Sequence, residues 1–439
     1  MQNRLKYLFV LASSLLASNY YALSEWLGFP FRAELFVLLT AVFCMANILL
    51  PAKHALSKRL ALLESGSRLL KVFLCFLAVQ IVFTVCFGLT AETGALIVQI
   101  LTAVLFGGLL FWNGMLRVYL CSAQLGVKWR VIGALCGWIP LLNLWALHRI
   151  ITIASGEAAV ELEKLSLQAI RAESELCRTK YPLLLVHGVF FRDSRLVNYW
   201  GRIPAYLRRN GAELYYGEHG SAASVLESGK ELAARIRQIT EETGCGRLNL
   251  IAHSKGGLDC RAAISRSGAA HLVASLTTIN TPHRGCLFAD SLLEKIPEKI
   301  QVQIAKKYNK AAGLLGDRKP DFLQAVHSLT AQACAAFNRE TPDSPEVYYQ
   351  SVGSVMKRAK GGTFPMNLTY RLVKYFDGEN DGLVSVESMK WGKRFTLIQT
   401  EGKGVSHADV IDLDRKNKDG FDVREFYLRL VQDLKSRGY

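Results

Sequence analysis

The sequence predicts an α/β fold, a mainly parallel sheet with helices on both faces, preceded by an all-α region suited to a membrane. Three observations carry this. Half of the 439 residues are hydrophobic and the mean hydropathy is +0.17, high for a soluble chain. The apolar excess is concentrated before residue 155. From residue 181 onward, short apolar strands alternate with amphipathic helices, which is the pattern of a parallel sheet clad in helices.

The first region holds apolar runs at Leu5 to Leu23, Leu35 to Leu50, Val72 to Leu89, Ala95 to Trp112 and Val131 to Leu147. Each approaches the roughly 17 to 25 residues that cross a bilayer core as a helix. Residues 1–154 are therefore expected to form a multi-pass region of four or five transmembrane helices. Arg4 and Lys6 before the first run resemble a signal peptide, but the further runs favour a first anchor. The run from Val131 contains Pro140 and ends at His148 and Arg149, so it either crosses or lies in the interface. Residues 155–180 are charged, with apolar positions at helical spacing, and read as a linking helix.

The formal charge of +16 does not indicate nucleic acid, because it divides into +8 before residue 151 and +8 after, with no basic tract interleaved with aromatics. In the first region the cations cluster between apolar runs (Lys53, Lys58, Arg59, Arg68 and Lys71, then Arg117, Lys128 and Arg130), which orients such segments toward the cytoplasm. With five crossings the second region would face outward; with an interfacial fifth run it would be cytoplasmic. Crossing is the favoured expectation. The ten cysteines have no repeated spacing and no CxxC pair, which argues against a disulfide framework or a zinc site.

The second region, 181–439, begins with strands at Leu183 to Val186, Glu213 to Tyr216, Leu248 to Ala252 and Leu272 to Ile279. Helices are expected at Arg195 to Asn210, Val225 to Thr243 and Leu258 to Ser267. The informative stretch is Arg247 to Arg261, "RLNLIAHSKGGLDCR". An apolar strand breaks at Ser254, and Gly256 and Gly257 let a helix pack close behind a sharp turn that displays the serine hydroxyl. A serine needs a base to take its proton, an acid to orient that base, and donors for the oxyanion. Asp381 in "GENDGLVS" and His407 in "GVSHADV" follow in the order Ser, Asp, His. Asp377 is an alternative acid, and His219, His271, His283 and His327 are competing bases. His187 and His253 read as structural groups. The oxyanion donors are expected to be the amides of Lys255 and, after the first strand, Val189 in "HGVF".

The blocks "YPLLLVHG", "YWGRIPAYLRRNGAELYY", "LNLIAHSKGGLDCR", "LTTINTPHRG", "NDGLV" and "SHADV" together resemble bacterial triacylglycerol lipases of the α/β-hydrolase superfamily. The resemblance implies the α/β-hydrolase fold, Ser254 as nucleophile, Asp381 as acid, His407 as base, and oxyanion amides at Val189 and Lys255. Ala252 departs from the first glycine of G-x-S-x-G, a small change. The chemistry requires no cofactor. Many relatives hold a structural calcium near the catalytic histidine, and Asp409 falls where one ligand would lie, but no second aspartate is found at the matching place before Asp381. The tail "DLDRKNKDGFD" is not a calcium loop, since Lys416 and Asn417 occupy key positions. An inserted region, about 286–345, is either a helical cap or a lid that meets lipid. The expected function is a membrane-anchored serine ester hydrolase acting on acyl lipids at the bilayer. The alternatives are an acyltransferase or phospholipid-remodelling deacylase with the same triad, or an inactive hydrolase fold serving as a membrane interaction protein.

Overall fold

The structure is a computed structural model and describes residues 2–49, 57–189, 198–314, 320–418 and 420–439. The chain divides into two units, Met1–Ile170 and Arg171–Tyr439.

The first unit is helical: α1 (Gln2–Leu27), α2 (Ala33–Leu49), α3 (Lys58–Gly88), α4 (Thr93–Cys121), α5 (Gly126–Cys136) and α6 (Leu142–Arg171). Only α3 and α4 are both long and apolar enough to cross a membrane among the described residues; α2 is apolar but shorter. The outward faces of α3 and α4 are apolar, with Ile81, Val82, Val85, Leu101, Val104 and Leu105 exposed. Their inward faces carry amides. Asn19 accepts hydrogen bonds from Gln80 (2.7 Å) and Gln99 (2.6 Å) deep between helices. The interior around these amides is otherwise apolar, with Val10, Phe43, Phe76, Phe106 and Leu110 packed together, so both faces of α3 and α4 are rich in apolar side chains.

Two expectations change here. Val131 to Leu147 is not one helix but the end of α5 and the start of α6, parted around Pro140, with Leu141 at φ 65°. Proline lacks the N–H that would continue the ladder, and a left-handed residue turns the chain. The segment expected as a linker from residue 155 continues α6, and its Glu157 is buried. That carboxylate accepts from Arg59 Nη1 (2.7 Å), Ser122 Oγ (2.6 Å) and the amides of Ala123 and Gln124. The cation at Lys53 lies outside the described residues.

The second unit is built on a six-stranded sheet, β1 (Leu183–Val186), β2 (Leu214–Tyr216), β3 (Leu248–His253), β4 (Val273–Ile279), β5 (Tyr348–Ser354) and β6 (Phe395–Ile398). The order is β2-β1-β3-β4-β5-β6 and every pairing is parallel. Strands β1, β3 and β4 are buried throughout, and β1 is apolar along its whole length, as burial on both faces favours. Alternate side chains enter opposite layers. Leu183 and Leu185 join Trp200, Tyr206 and Tyr427, whereas Leu184 and Val186 join Leu232, Ile236 and Ile264.

The covering helices are α7 (Ile203–Arg209), α8 (Val225–Thr243), α9 (Lys255–Ser265) and, after the inserted region, α14 (Met366–Asp377), α15 (Val386–Met389) and α16 (Val423–Ser436). The insertion supplies α10 (Leu287–Lys295), α11 (Glu298–Leu314), α12 (Phe322–His327) and α13 (Ala331–Glu340). Helix α8 matches its expected bounds because its ends are written locally. Ser224 accepts from the Glu227 amide (3.2 Å), and Gly244 closes the helix at φ 67°, a left-handed cap that suits glycine. Helix α7 is shorter than expected, and the start at Arg195 lies outside the described residues.

The insertion returns to the sheet over Arg261. Its buried guanidinium donates to Asn338 Oδ1 (2.6 Å) and Thr341 O (2.9 Å) and sits 3.8 Å from the centre of the Trp391 ring. Burial holds its pKa below the usual arginine value. Removing this cation leaves its acceptors without a donor, so Arg261→Met is expected to destabilise the second unit by about 3 kcal/mol, read from chemical denaturation of the full chain.

Candidate active site

The side chains singled out in the sequence collect at the carboxyl ends of β3, β4, β5 and β6, where open parallel sheets place their ligands. β3 delivers Ser254 directly. Its backbone has φ 56° and ψ −133°, a region that costs a non-glycine residue on the order of 1–3 kcal/mol and is tolerated where surroundings fix it. Here the Ser254 amide is held by Ile279 O (2.9 Å) and its carbonyl by the Gly257 amide (3.1 Å). Close packing completes the turn. A Cβ on Gly256 would stand 2.4 Å from His187 O, and one on Gly188 would stand 2.8 Å from Ser254 Cβ. The loop after β1 therefore lies directly against the serine.

Asp381 is fully buried in the turn after α14. Its Oδ2 is 2.6 Å from His407 Nδ1 and accepts from Asn280 Nδ2 (2.7 Å), while Oδ1 accepts from the amides of Leu383 (2.9 Å) and Val384 (2.8 Å). The His407 amide also donates to Asp381 O (2.9 Å). Side chain and backbone thus fix the imidazole together, with Nδ1 toward the carboxylate and Nε2 left for another partner. Ser254 Oγ and His407 Nε2 make no hydrogen bond with each other among the described residues; such contacts commonly tighten only with substrate bound. The ring of His253, next to Ser254, lies 4.4 Å from that of His407.

The alternative acid is placed elsewhere. Asp377 accepts from the amides of Leu287 and Phe288 (both 3.1 Å) and caps α10; burial raises its pKa. His253 is buried, with Nδ1 2.6 Å from the Tyr199 hydroxyl, and burial pushes its pKa well below the usual histidine value. It stays neutral, as suits a structural group. His283 lies under the Trp391 ring at 5.0 Å.

Of the two expected oxyanion donors, Lys255 opens α9, so its amide has no acceptor within the helix. The Val189 amide makes no hydrogen bond among the described residues. The Lys255 side chain is fully buried and donates to both Asp259 oxygens (2.8 and 2.9 Å) and to Ser228 Oγ (2.9 Å). Burial brings Asp259 up to about 6.

Three contributors were not foreseen. Asn280, at φ 50°, bridges Asp381 and Ser354 Oγ (2.7 Å). The Tyr199 hydroxyl accepts from the Gly188 amide (3.1 Å) and so links the loop after β1 to His253. Lys418 places its ammonium 2.8 Å from Asp409 Oδ2 and donates to Gly361 O (3.2 Å). The first has a sequence signal, an asparagine at a strand end, since asparagine enters the left-handed region more readily than most residues; the other two have none.

Lys418 decides the fit of calcium. Asp409 Oδ2 already takes the Ser406 amide (2.9 Å) and the ammonium, and no group of three or more His, Cys, Asp or Glu side chains placed to hold a metal ion exists among the described residues. A lysine cation stands where Asp409 would face a metal, so these residues do not fit a calcium site.

A parallel sheet clad in helices, with a serine on a strained strand-to-helix turn, defines an α/β-hydrolase. No family model matches the chain. It is 30% identical over 264 residues to triacylglycerol lipase 2 of Saccharomyces cerevisiae, covering 55% of this chain and 75% of that protein. It is also 30% identical over 257 residues to the triacylglycerol lipase of Vibrio cholerae, covering 54% and 80%. With the triacylglycerol lipase of Burkholderia plantarii the identity is 33% over 208 residues, 44% of this chain and about half (54%) of the relative. Among solved structures, mature lipase BlEst2 of Bacillus licheniformis matches with a TM-score of 0.43 at 24% identity, over 58% of this chain and 92% of its own. The chain belongs to the triacylglycerol lipase family and is a carboxylic ester hydrolase.

Chelators are expected to leave activity and melting temperature of the wild type unchanged. Lys418→Met, which strands the Asp409 carboxylate, is expected to cost about 2 kcal/mol and to lower turnover more than it raises KM. A wild type that loses activity in EDTA and regains it with calcium would contradict this.

Proposed function

We propose that the protein is a membrane-anchored lipase or esterase that cleaves acyl esters of lipids through Ser254, His407 and Asp381. The observation that carries this reading is the 2.6 Å contact between Asp381 and His407, at the same sheet edge as the turn that displays Ser254. As Ser254 Oγ bonds to the ester carbonyl carbon, His407 Nε2 takes the hydroxyl proton, and the carbonyl oxygen gathers negative charge facing the amides of Val189 and Lys255. The intermediate collapses, the C–O bond to the alcohol breaks, and His407 returns the proton to the leaving oxygen. Water, deprotonated by His407, then cleaves the acyl-enzyme. Asp381 accepts from Nδ1 throughout and stabilises the imidazolium. Asn280, behind the carboxylate, is a positioning residue. The helices of the inserted region, about 286–345, form the cap over this edge.

A single-serine label from a fluorophosphonate probe tests the assignment. Ser254→Ala is expected to abolish labelling and ester hydrolysis. His407→Ala is expected to reduce turnover by about three orders of magnitude or more, and the double variant scarcely further, because triad members act as a unit. Asp377→Ala loosens α10 and leaves turnover within about tenfold, whereas Asp381→Ala does not. Labelling at another serine would overturn the assignment.

The first unit is proposed to reside in the bilayer. Its support is the apolar exterior of α3 and α4 around buried amides, the arrangement that hydrocarbon favours. With α5 and α6 parted at Pro140, the fifth crossing expected from Val131 to Leu147 loses its helix. α3 and α4 are long and apolar enough to cross; with α1 and α2 proposed to cross as well, the chain returns to the side of the amino terminus, which the cations at Arg4, Lys6, Lys128 and Arg130 assign to the cytoplasm. Reporters fused after Lys180 are expected to fluoresce as green fluorescent protein and to be inactive as alkaline phosphatase; the reverse pattern restores a fifth crossing.

A further inference from the structure

Helix α14 has two apolar faces. One is spent inside the fold, where Met366, Tyr370 and Val373 are buried. The other is bare. Leu368 (65% exposed), Leu372 (38%) and Tyr375 (83%) follow one another at four- and three-residue spacing along the helix, and Phe364 (77%) precedes it. That spacing sets the three side chains in one stripe, and a surface helix ordinarily keeps polar residues there.

The charge within this segment of chain is of one sign. Between Glu346 and Asp377 the chain has no acidic residue and five basic ones, Lys357, Arg358, Lys360, Arg371 and Lys374. All five are exposed. None of them forms an ion pair with a carboxylate among the described residues. Arg371 and Lys374 run along the helix beside the apolar stripe. The patch borders the catalytic edge, because α14 leads into the turn carrying Asp381, and Asp377 at its end caps α10, the first helix of the insertion.

We infer that this face of α14, with the segment 357–364, docks on an anionic phospholipid surface. An apolar stripe flanked by unpaired cations is the composition of a helix lying in a bilayer interface, with rings and leucines among the acyl carbons and cations at the headgroups. An acidic protein partner would balance the cations alone; the exposed leucine, tyrosine and phenylalanine side chains between them add the apolar contact that a bilayer interface takes up. The docking gives the hydrolase a lipid contact of its own, separate from α1 to α6, beside the residues proposed to cleave the ester. The inference rests on the proposed membrane residence of the first unit and not on the triad.

The experiment uses the full chain in nanodiscs, made either of phosphatidylcholine alone or of an equal mixture with phosphatidylglycerol. Lysines are acetylated briefly and read by mass spectrometry, with exposed Lys393 as the internal reference. Labelling of Lys357, Lys360 and Lys374 relative to Lys393 is expected to fall about threefold or more in the anionic discs and to recover in high salt. Leu368→Ser/Leu372→Ser is expected to abolish that protection while hydrolysis of a soluble short-chain ester is retained, which shows that the variant is folded. In Arg371→Gln/Lys374→Gln, protection of Lys357 and Lys360 weakens.

Equal labelling in the two kinds of disc overturns the inference, as does protection indifferent to both double variants. Protection that appears in detergent and grows with protein concentration also overturns it, in favour of a second copy of the chain. Repeating the footprint in Ser254→Ala keeps the result independent of catalysis. A chain that fails to enter the discs, seen by size exclusion, fails the membrane reading instead.

Discussion

The proposed catalytic edge depends on one buried carboxylate. Asp381 is taken wholly out of water, and an ion there is tolerated only if its lone pairs are occupied. Four donors meet it: His407 Nδ1, Asn280 Nδ2 and the amides of Leu383 and Val384. They come from three separate places in the chain, the end of β4, the turn after α14 and the loop after β6. Satisfying one charge therefore ties together three segments that follow neighbouring strands of the sheet. The His407 amide, bonded to Asp381 O, closes the arrangement, so the imidazole is held at its ring and at its backbone.

The serine is positioned by another means, exclusion of volume. Its hydroxyl makes no hydrogen bond among the described residues. Instead the turn is forced by the close approach of the loop after β1, where glycine at 188 and 256 alone admits the contacts measured. Polar satisfaction places His407, the proposed base, and steric crowding places Ser254, the proposed nucleophile, and the two meet at one edge because every strand of the sheet runs the same way.

How far the sequence announces this follows from the range of the forces involved. Strand β1 and helix α8 were legible because burial and capping are written locally, as an apolar run or as Ser224 and Gly244 at the two ends; β3 and β4 were legible as well, although Asn249 in one and Ser275, Thr277 and Thr278 in the other interrupt the apolar pattern. The turn at Ser254 was legible for the same reason. β5 was not, since "YYQSVGS" carries Gln350 and two serines into the sheet and satisfies them only through its neighbours, as with Gln350 Nε2 and Thr277 Oγ1 (2.9 Å). Asn280, Tyr199 and Lys418 act on residues brought near by folding, and single residues of those types read as ordinary turns or surface. In the first unit hydropathy located the helices, but it overlooked the local rule at Pro140 and merged the ends of two helices into one run.

The ammonium beside Asp409 has a bearing on the life of the protein in a cell. A bound metal is an exchangeable part, acquired at folding and lost whenever the surrounding concentration falls below its dissociation constant. A lysine is inherited with the chain. It cannot be stripped by a chelating environment or captured by a competing protein. In this chain the place beside Asp409 is taken by Lys418, which also reaches Gly361 O, so this one contact is made at folding without any ion from the compartment.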